Sequence, residues 1–385
     1  MSQGSAIDVP LCDLNGQYKR IEAEVLEALS RVLSSGQSIL GPEVATFEKE
    51  IAERLEARYA VGCGSGSDAI SLALHALEIG AGDEVIIPTF TFFATAGCVV
   101  RTGATPVFVD IDPNTYNMDP AEIESKITSR TRAIMPVHLY GQSADMEPIQ
   151  MLADKYGLEI IEDAAQAYGA EYHGRKIGTL GALGCFSFYP SKNLGTYGDA
   201  GLVTTDSEKL YARLKTLRVH GMEPKYYHHF VGWNARMDAL HAAILRVKLK
   251  YIDGWTSQRQ AAAKNYTAIL EEKGLHRWLQ RPTQVPGLKH VYNQYVIRVS
   301  PMMRDGLADH LKKNKVSCEI YYPLCLHQQK CFENLGYKKG QFPISEEASR
   351  SVLALPMFPE ITAEQQERVA DSIQNYLTRQ VRLAA

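Results

Sequence analysis

Between about residue 60 and residue 205 one pattern repeats: a short, continuously apolar run, then a stretch with helical spacing. The apolar runs fall at 60–63, 84–87, 105–109, 133–137, 158–161, 184–188 and 201–205. Few of them alternate polar with apolar residues, so they read as strands buried on both faces of a parallel or mostly parallel mixed sheet. Helical patterns at 67–79 and 146–156 supply crossovers, and the fold class expected is α/β, a sheet sandwiched by helices. In such sheets functional groups collect at the carboxyl ends of the strands.

After Trp233 the pattern changes. Helices are expected at 237–251, 257–273 and 303–314, strands at 292–299 and 316–322, and a frayed tail from 379. With 385 residues, two domains fit better than one. The reading is a large α/β domain over 1–250, whose N-terminal segment packs on the other domain, and a small α+β domain over 251–385. A net charge of -3 leaves no electrostatic footprint for nucleic acid or an anionic membrane. No signal peptide or membrane span is read. Seven cysteines without paired spacing suit a reducing cytoplasm. Cys325-Leu-His-Gln-Gln-Lys-Cys331 lacks the ligand pairing of a zinc site, so no metal is expected.

Two strand ends carry chemistry. Lys192 follows the run 184–188 and precedes the glycine-bearing stretch 195–201, and Asp163 ends the run that begins at 158. A lysine and an aspartate, each just beyond a buried strand, meet the needs of pyridoxal phosphate. The amine forms a Schiff base with the aldehyde, and the carboxylate keeps the ring nitrogen protonated. Residues 62–70, Gly-Cys-Gly-Ser-Gly-Ser-Asp-Ala-Ile, pass from strand to helix through small residues. That suits a single phosphate at a helix N-terminus, with Ser67 adding a hydroxyl; the P-loop and dinucleotide patterns are absent. Phe92 or Phe93 offers a face for a flat ring, Gln166 for the ring hydroxyl, and Ser187 a donor for the phosphate. Taken singly, each has a plainer reading, as a core aromatic, a helix cap or a surface amide.

Together these residues resemble the DegT-type sugar aminotransferases, a fold-type I pyridoxal phosphate family. The resemblance runs from 33–43 to 353–358, and its most specific pieces are Glu162-Asp-Ala-Ala-Gln166, Ser187-Phe-Tyr-Pro-Ser-Lys192 and Gly232-Trp-Asn-Ala-Arg-Met-Asp238. It implies that Lys192 is the Schiff-base lysine and proton shuttle, with Asp163 on the pyridine nitrogen and Gln166 on the ring oxygen. Gly66, Ser67 and Ser187 would hold the phosphate and Phe92 would stack. Asn234 would reach the neighbouring subunit's phosphate, making a homodimer the minimal unit. Arg236, Tyr322 and His327 would meet substrate. Dehydratase relatives carry histidine where this chain has Lys192. The implied reaction moves an amino group from L-glutamate to a nucleotide-linked keto sugar. Residues 226–229, Tyr-Tyr-His-His, resemble members acting at C-3 more than those acting at C-4. The alternatives are a glutamine-dependent keto-cyclitol aminotransferase and a non-catalytic regulatory protein that binds pyridoxal phosphate.

Overall fold

The computed structural model describes residues 8–384. Helices α1 (Leu14–Ser35) and α2 (Gly41–Leu55) come first. Asp13 caps α1 by accepting the Gly16 amide at 2.8 Å, and Gly36, at φ 68°, closes it in the left-handed region. Its buried stripe, Ile21, Val25, Ala28 and Val32, has helical spacing.

The chain then builds β1 (Tyr59–Cys63), α3 (Gly66–Ala76), β2 (Glu84–Pro88), α4 (Ala94–Arg101), β3 (Thr105–Val109), α5 (Pro120–Ile123), β4 (Thr131–Ile134), α6 (Met146–Tyr156) and β5 (Glu159–Asp163). Two short strands follow, β6 (Glu171–Tyr172) and β7 (Arg175–Lys176), then β8 (Leu183–Ser187), β9 (Gly201–Thr205) and α7 (Glu208–Leu217). The main sheet has seven strands in the order β1-β9-β8-β5-β4-β2-β3. Strands β3, β2, β4, β5 and β8 are parallel, while β9 is antiparallel to both β8 and β1. All seven expected runs are strands of this sheet. Ile86, Ile134 and Phe186 point into a core shared with α1 and α2, whereas Val85, Ile87, Ile161 and Val203 point into one shared with α3, α4 and α7. Two covered faces explain the unbroken apolar character.

Helices α8 (Ala239–Leu249) and α9 (Ile252–Glu272) lead to β10 (Leu279–Gln280), β11 (Leu288–Lys289), β12 (Tyr295–Val299), α10 (Pro301–Lys313), α11 (Pro343–Ser351), β13 (Val352–Leu355) and α12 (Ala363–Ala384). β10, β12 and β13 form an antiparallel sheet, and β11 pairs with β6. A further core joins Tyr266, Ile297, Leu311, Leu353 and Ile373 with Val9. Val9 bonds Lys315 and Ser317 through its own amide and carbonyl, each at 2.9 Å.

Three expectations are corrected. Residues 316–322 form no strand: Val316 meets Val9 and Glu319 meets Ala354 as isolated bridges, so β-prone residues lack a continuous neighbour. Helix α9 starts at Ile252, five residues before the expected 257, because Ile252 and Trp255 are already on its buried face. Residues 379–384 continue α12 where a frayed tail was expected, and Ala385 lies outside the described residues. Among the described residues no helix is long and apolar enough to cross a membrane.

Candidate active site

Because β5 and β8 are parallel neighbours, Asp163 and Ser187 end at the same edge of the sheet. Lys192 stands in the loop after β8, with its amide bonded to the Tyr189 carbonyl at 2.9 Å. Lys192 is half-buried as a residue, and its amine, packed away from water, is pushed down to about 8 by loss of hydration, against the pull of the Asp163 charge. Such an amine is neutral in a far larger fraction at neutral pH than an ordinary lysine, which is what a nucleophile needs.

Asp163 is 4 % exposed. Burial raises its pKa, opposed by a 2.8 Å bond from the Thr95 hydroxyl, a 3.2 Å bond from the Ala165 amide, and the charges of Lys192 and His138. Beneath it, buried Glu162 accepts the amides of Gly178, Leu180 and Gly181 at 2.7–2.8 Å and faces His138 Nε2 at 3.0 Å. The charge at the sheet edge therefore rests on a bonded polar layer.

Helix α3 starts beside β8. Its cap is Ser65, whose hydroxyl accepts the Asp68 amide at 3.0 Å and whose carbonyl accepts that of Ala69 at 3.0 Å. The Gly66 and Ser67 amides have no partner among the described residues. Gly66 lies so close to Ser187 that a Cβ there would sit 2.6 Å from the serine Cβ and 3.1 Å from its hydroxyl oxygen. Two open N–H groups at a helix start, with a serine hydroxyl alongside, make a cradle for one phosphate.

Gln166 is buried in a turn after β5. Its carbonyl oxygen accepts the Tyr140 amide at 2.8 Å, and its amide nitrogen donates to the Tyr322 hydroxyl at 2.9 Å. Phe92 is 56 % exposed with its ring 6.2 Å from that of Tyr322, whereas Phe93 stacks on Phe332 at 5.4 Å. Of the two phenylalanines, Phe92 is therefore the one with a free face towards Tyr322. Arg236 is half-buried and bridges Cys63 at the end of β1, and Asn234 is exposed and bridges Val219. His327 is not brought to this opening. It is buried with Nδ1 2.7 Å from the Thr89 hydroxyl and Nε2 3.2 Å from Glu346. Sequence reasoning missed Thr95, His138 and Tyr140; nothing in their local spacing points to Asp163 or Gln166.

The family model for DegT/DnrJ/EryC1/StrS aminotransferases matches residues 19–374. The chain belongs to that family. It is 49% identical over 370 residues, 96% of this chain and 99% of the relative, to a pleiotropic regulatory protein of Geobacillus stearothermophilus. It is 44% identical over 377 residues, 98% of this chain and 100% of the relative, to a UDP-N-acetyl-3-dehydro-α-D-glucosamine 3-aminotransferase of Acidithiobacillus ferrooxidans. Among solved structures, DesV of S. venezuelae in complex with a ketimine intermediate superposes with a TM-score of 0.92 at 41% identity, covering 96% of this chain and 98% of that one. Membership makes this chain a pyridoxal-phosphate-dependent aminotransferase. The residues fit that cofactor: an open anion cradle, a buried carboxylate and a poorly hydrated amine converge at one sheet edge.

Proposed function

We propose that this family member transfers the amino group of L-glutamate to a nucleotide-linked keto hexose, at C-3. The observation that carries the chemistry is the shared edge of β5 and β8, which sets a buried carboxylate near a depressed lysine amine. The sugar assignment is supported by the Acidithiobacillus ferrooxidans relative, whose name specifies a UDP-linked 3-keto sugar.

Pyridoxal phosphate, when bound, supplies an aromatic ring that stores the electron pair freed at the amino-bearing carbon. The chain's own groups do the rest. Gly66 and Ser67 amides and the Ser187 hydroxyl would bind the phosphate, and Phe92 and Gln166 would orient the ring. Asp163, whose ionised form the Thr95 hydroxyl and the Ala165 amide favour against the effect of burial, would keep the ring nitrogen protonated. Lys192 would form the covalent link and then, as a free amine, carry the proton from the donor's amino-bearing carbon to the carbon that was the cofactor's aldehyde, and in the reverse sense for the acceptor. Its lowered pKa suits both duties near neutral pH. Arg236 and Tyr322 would meet substrate, and His327, buried between Thr89 and Glu346, would support the loop that carries Tyr322. The large unit over 1–250 and the small one over 251–385 would enclose the site between them. A second copy would complete it through Asn234. In support, Asn234 is exposed and follows a loop whose Tyr226, Tyr227 and Val231 are 77%, 68% and 94% exposed.

The test is incubation of the cofactor-loaded protein with L-glutamate and then with 3-keto and 4-keto sugar nucleotides. Release of 2-oxoglutarate matching the enzyme in amount, lost in Lys192→Ala, supports the donor and the lysine. Multiple turnovers with a 3-keto sugar nucleotide alone support the acceptor. Turnover with glutamine and a keto-cyclitol instead would overturn both assignments.

A further inference from the structure

The loop that presents Lys192 is closed at its base. The Thr196 amide donates to the Phe188 carbonyl, and the Phe188 amide to the Ala200 carbonyl, both at 2.8 Å. Position 195 has no room for a side chain, since a Cβ would lie 2.6 Å from the carbonyl oxygens of Tyr189 and Pro190. The residues just past this closure are gripped by α8. His241 Nδ1 is 3.0 Å from the Thr196 hydroxyl, and its ring leaves no space for a Cβ at Gly198, which would sit 2.5 Å from Cε1. Two turns along the same helix face, Lys248 sets its ammonium 4.1 Å from the centre of the Tyr197 ring.

Lys248 is 1 % exposed, an unusual place for an ammonium. Among the described residues its single hydrogen-bond acceptor is Gln17 at 3.0 Å, and no carboxylate lies within ion-pair distance, although the charge of Glu360 reaches it. The Tyr197 ring face is thus one of few partners offsetting its lost hydration. The rings of Tyr18, on α1, and Tyr197 meet in a T-shaped contact, with centres 5.6 Å apart at 89°. The Tyr197 hydroxyl is buried without a partner among the described residues, so the ring and not the oxygen makes the contact.

We propose that Lys248, through the face of Tyr197, and His241, through Thr196, are positioning residues that fix the base of the Lys192 loop. Neither touches the reacting atoms. The inference rests on the reading of Lys192 as the cofactor-bearing amine. A loosened base lets water reach Lys192, which slows covalent capture of pyridoxal phosphate and moves its pH midpoint up towards that of an ordinary lysine. Among the described residues, the charged group that acts on Lys192 is Asp163 on β5, and the one that acts on Lys248 is Glu360.

The experiment is stopped-flow capture of pyridoxal phosphate by the full-length chain, followed by visible absorbance across pH, with thermal unfolding of each variant alongside. Tyr197→Leu and Lys248→Met are expected to slow capture about tenfold, the scale of a lost orientation, and to raise the midpoint from about 8. They should lower kcat while leaving the donor KM unchanged. Tyr197→Phe keeps the ring and should match the parent in all three. A parent-like rate and midpoint in Tyr197→Leu overturns the proposal, as does a Tyr197→Phe variant as impaired as Tyr197→Leu. Should Lys248→Met fail to fold, Tyr197→Leu decides alone. Capture that persists in Lys192→Ala would instead sink the reading of the lysine itself.

Discussion

Gly66→Ala adds one methyl group to the proposed phosphate cradle. The new carbon would lie 2.6 Å from the Ser187 Cβ, 3.1 Å from its Oγ and 3.2 Å from its Cα. Carbon atoms in contact rest at about 3.5–4.0 Å, so the first turn of α3 or the end of β8 must retreat by about 1 Å. Ser187 sits in a paired strand with Gly201 opposite, and α3 therefore gives way more readily. A displacement of that size misaligns the two open amides with a phosphate. Each such bond to a charged group contributes about 1.5–3 kcal/mol, so a partial loss of both costs about 2–4 kcal/mol. At about 1.4 kcal/mol per decade, cofactor affinity falls about 30- to 1000-fold. The overpacking costs folding about 1–3 kcal/mol, offset in part by the helix preference of alanine. Gly66 does not have a left-handed φ, and alanine favours a helix over glycine by about 1 kcal/mol. The assay is equilibrium titration of pyridoxal phosphate into the full-length chain, with thermal unfolding measured without cofactor. Binding by Gly66→Ala within about threefold of the parent, well under a decade, refutes the cradle.

Thr95→Val removes the 2.8 Å bond to Asp163, the largest influence holding that carboxylate's raised pKa down. The carboxylate then protonates at higher pH, so the acid limb of the pH–rate profile should move to higher pH. The alkaline limb should stay, and Thr95→Ser should restore the parent profile. Glu162→Ala leaves the amides of Gly178, Leu180 and Gly181 and one His138 nitrogen without their acceptor. At about 1–3 kcal/mol for each buried group, the variant should lose at least about 3 kcal/mol in chemical denaturation. A loss below about 1 kcal/mol would show that water replaces the carboxylate there.

The main sheet was legible because its strands are buried on both faces, which favours apolar residues at most positions. Lys192 and Asp163 were legible for a related reason: a charged residue directly after such a run has few structural uses. The stretch 316–322 was misread because β-prone composition reports the surroundings of a residue and not the presence of a ladder. Here the neighbours are single residues, Val9 and Ala354. Thr95 lies 68 residues from the carboxylate it serves, and Lys248 falls in a helix where a lysine normally reaches water. Roles of that kind exist only as contacts.

The start of α3 shows how narrow the gap is. Residues 65–67, Ser-Gly-Ser, offer two serines, and either satisfies the sequence preference for a helix cap. With Ser65 in that role, the amides of Asp68 and Ala69 are used and those of Gly66 and Ser67 stay open beside Ser187. A cap at Ser67 would shift the open pair two residues on, to Asp68 and Ala69. The anion would then meet the Asp68 carboxylate, whose like charge opposes it. Only the first register leaves a glycine at the point of closest approach and a hydroxyl among the donors. The glycine at 66 thus selects the register, and the register decides whether this helix start can hold a phosphate at all.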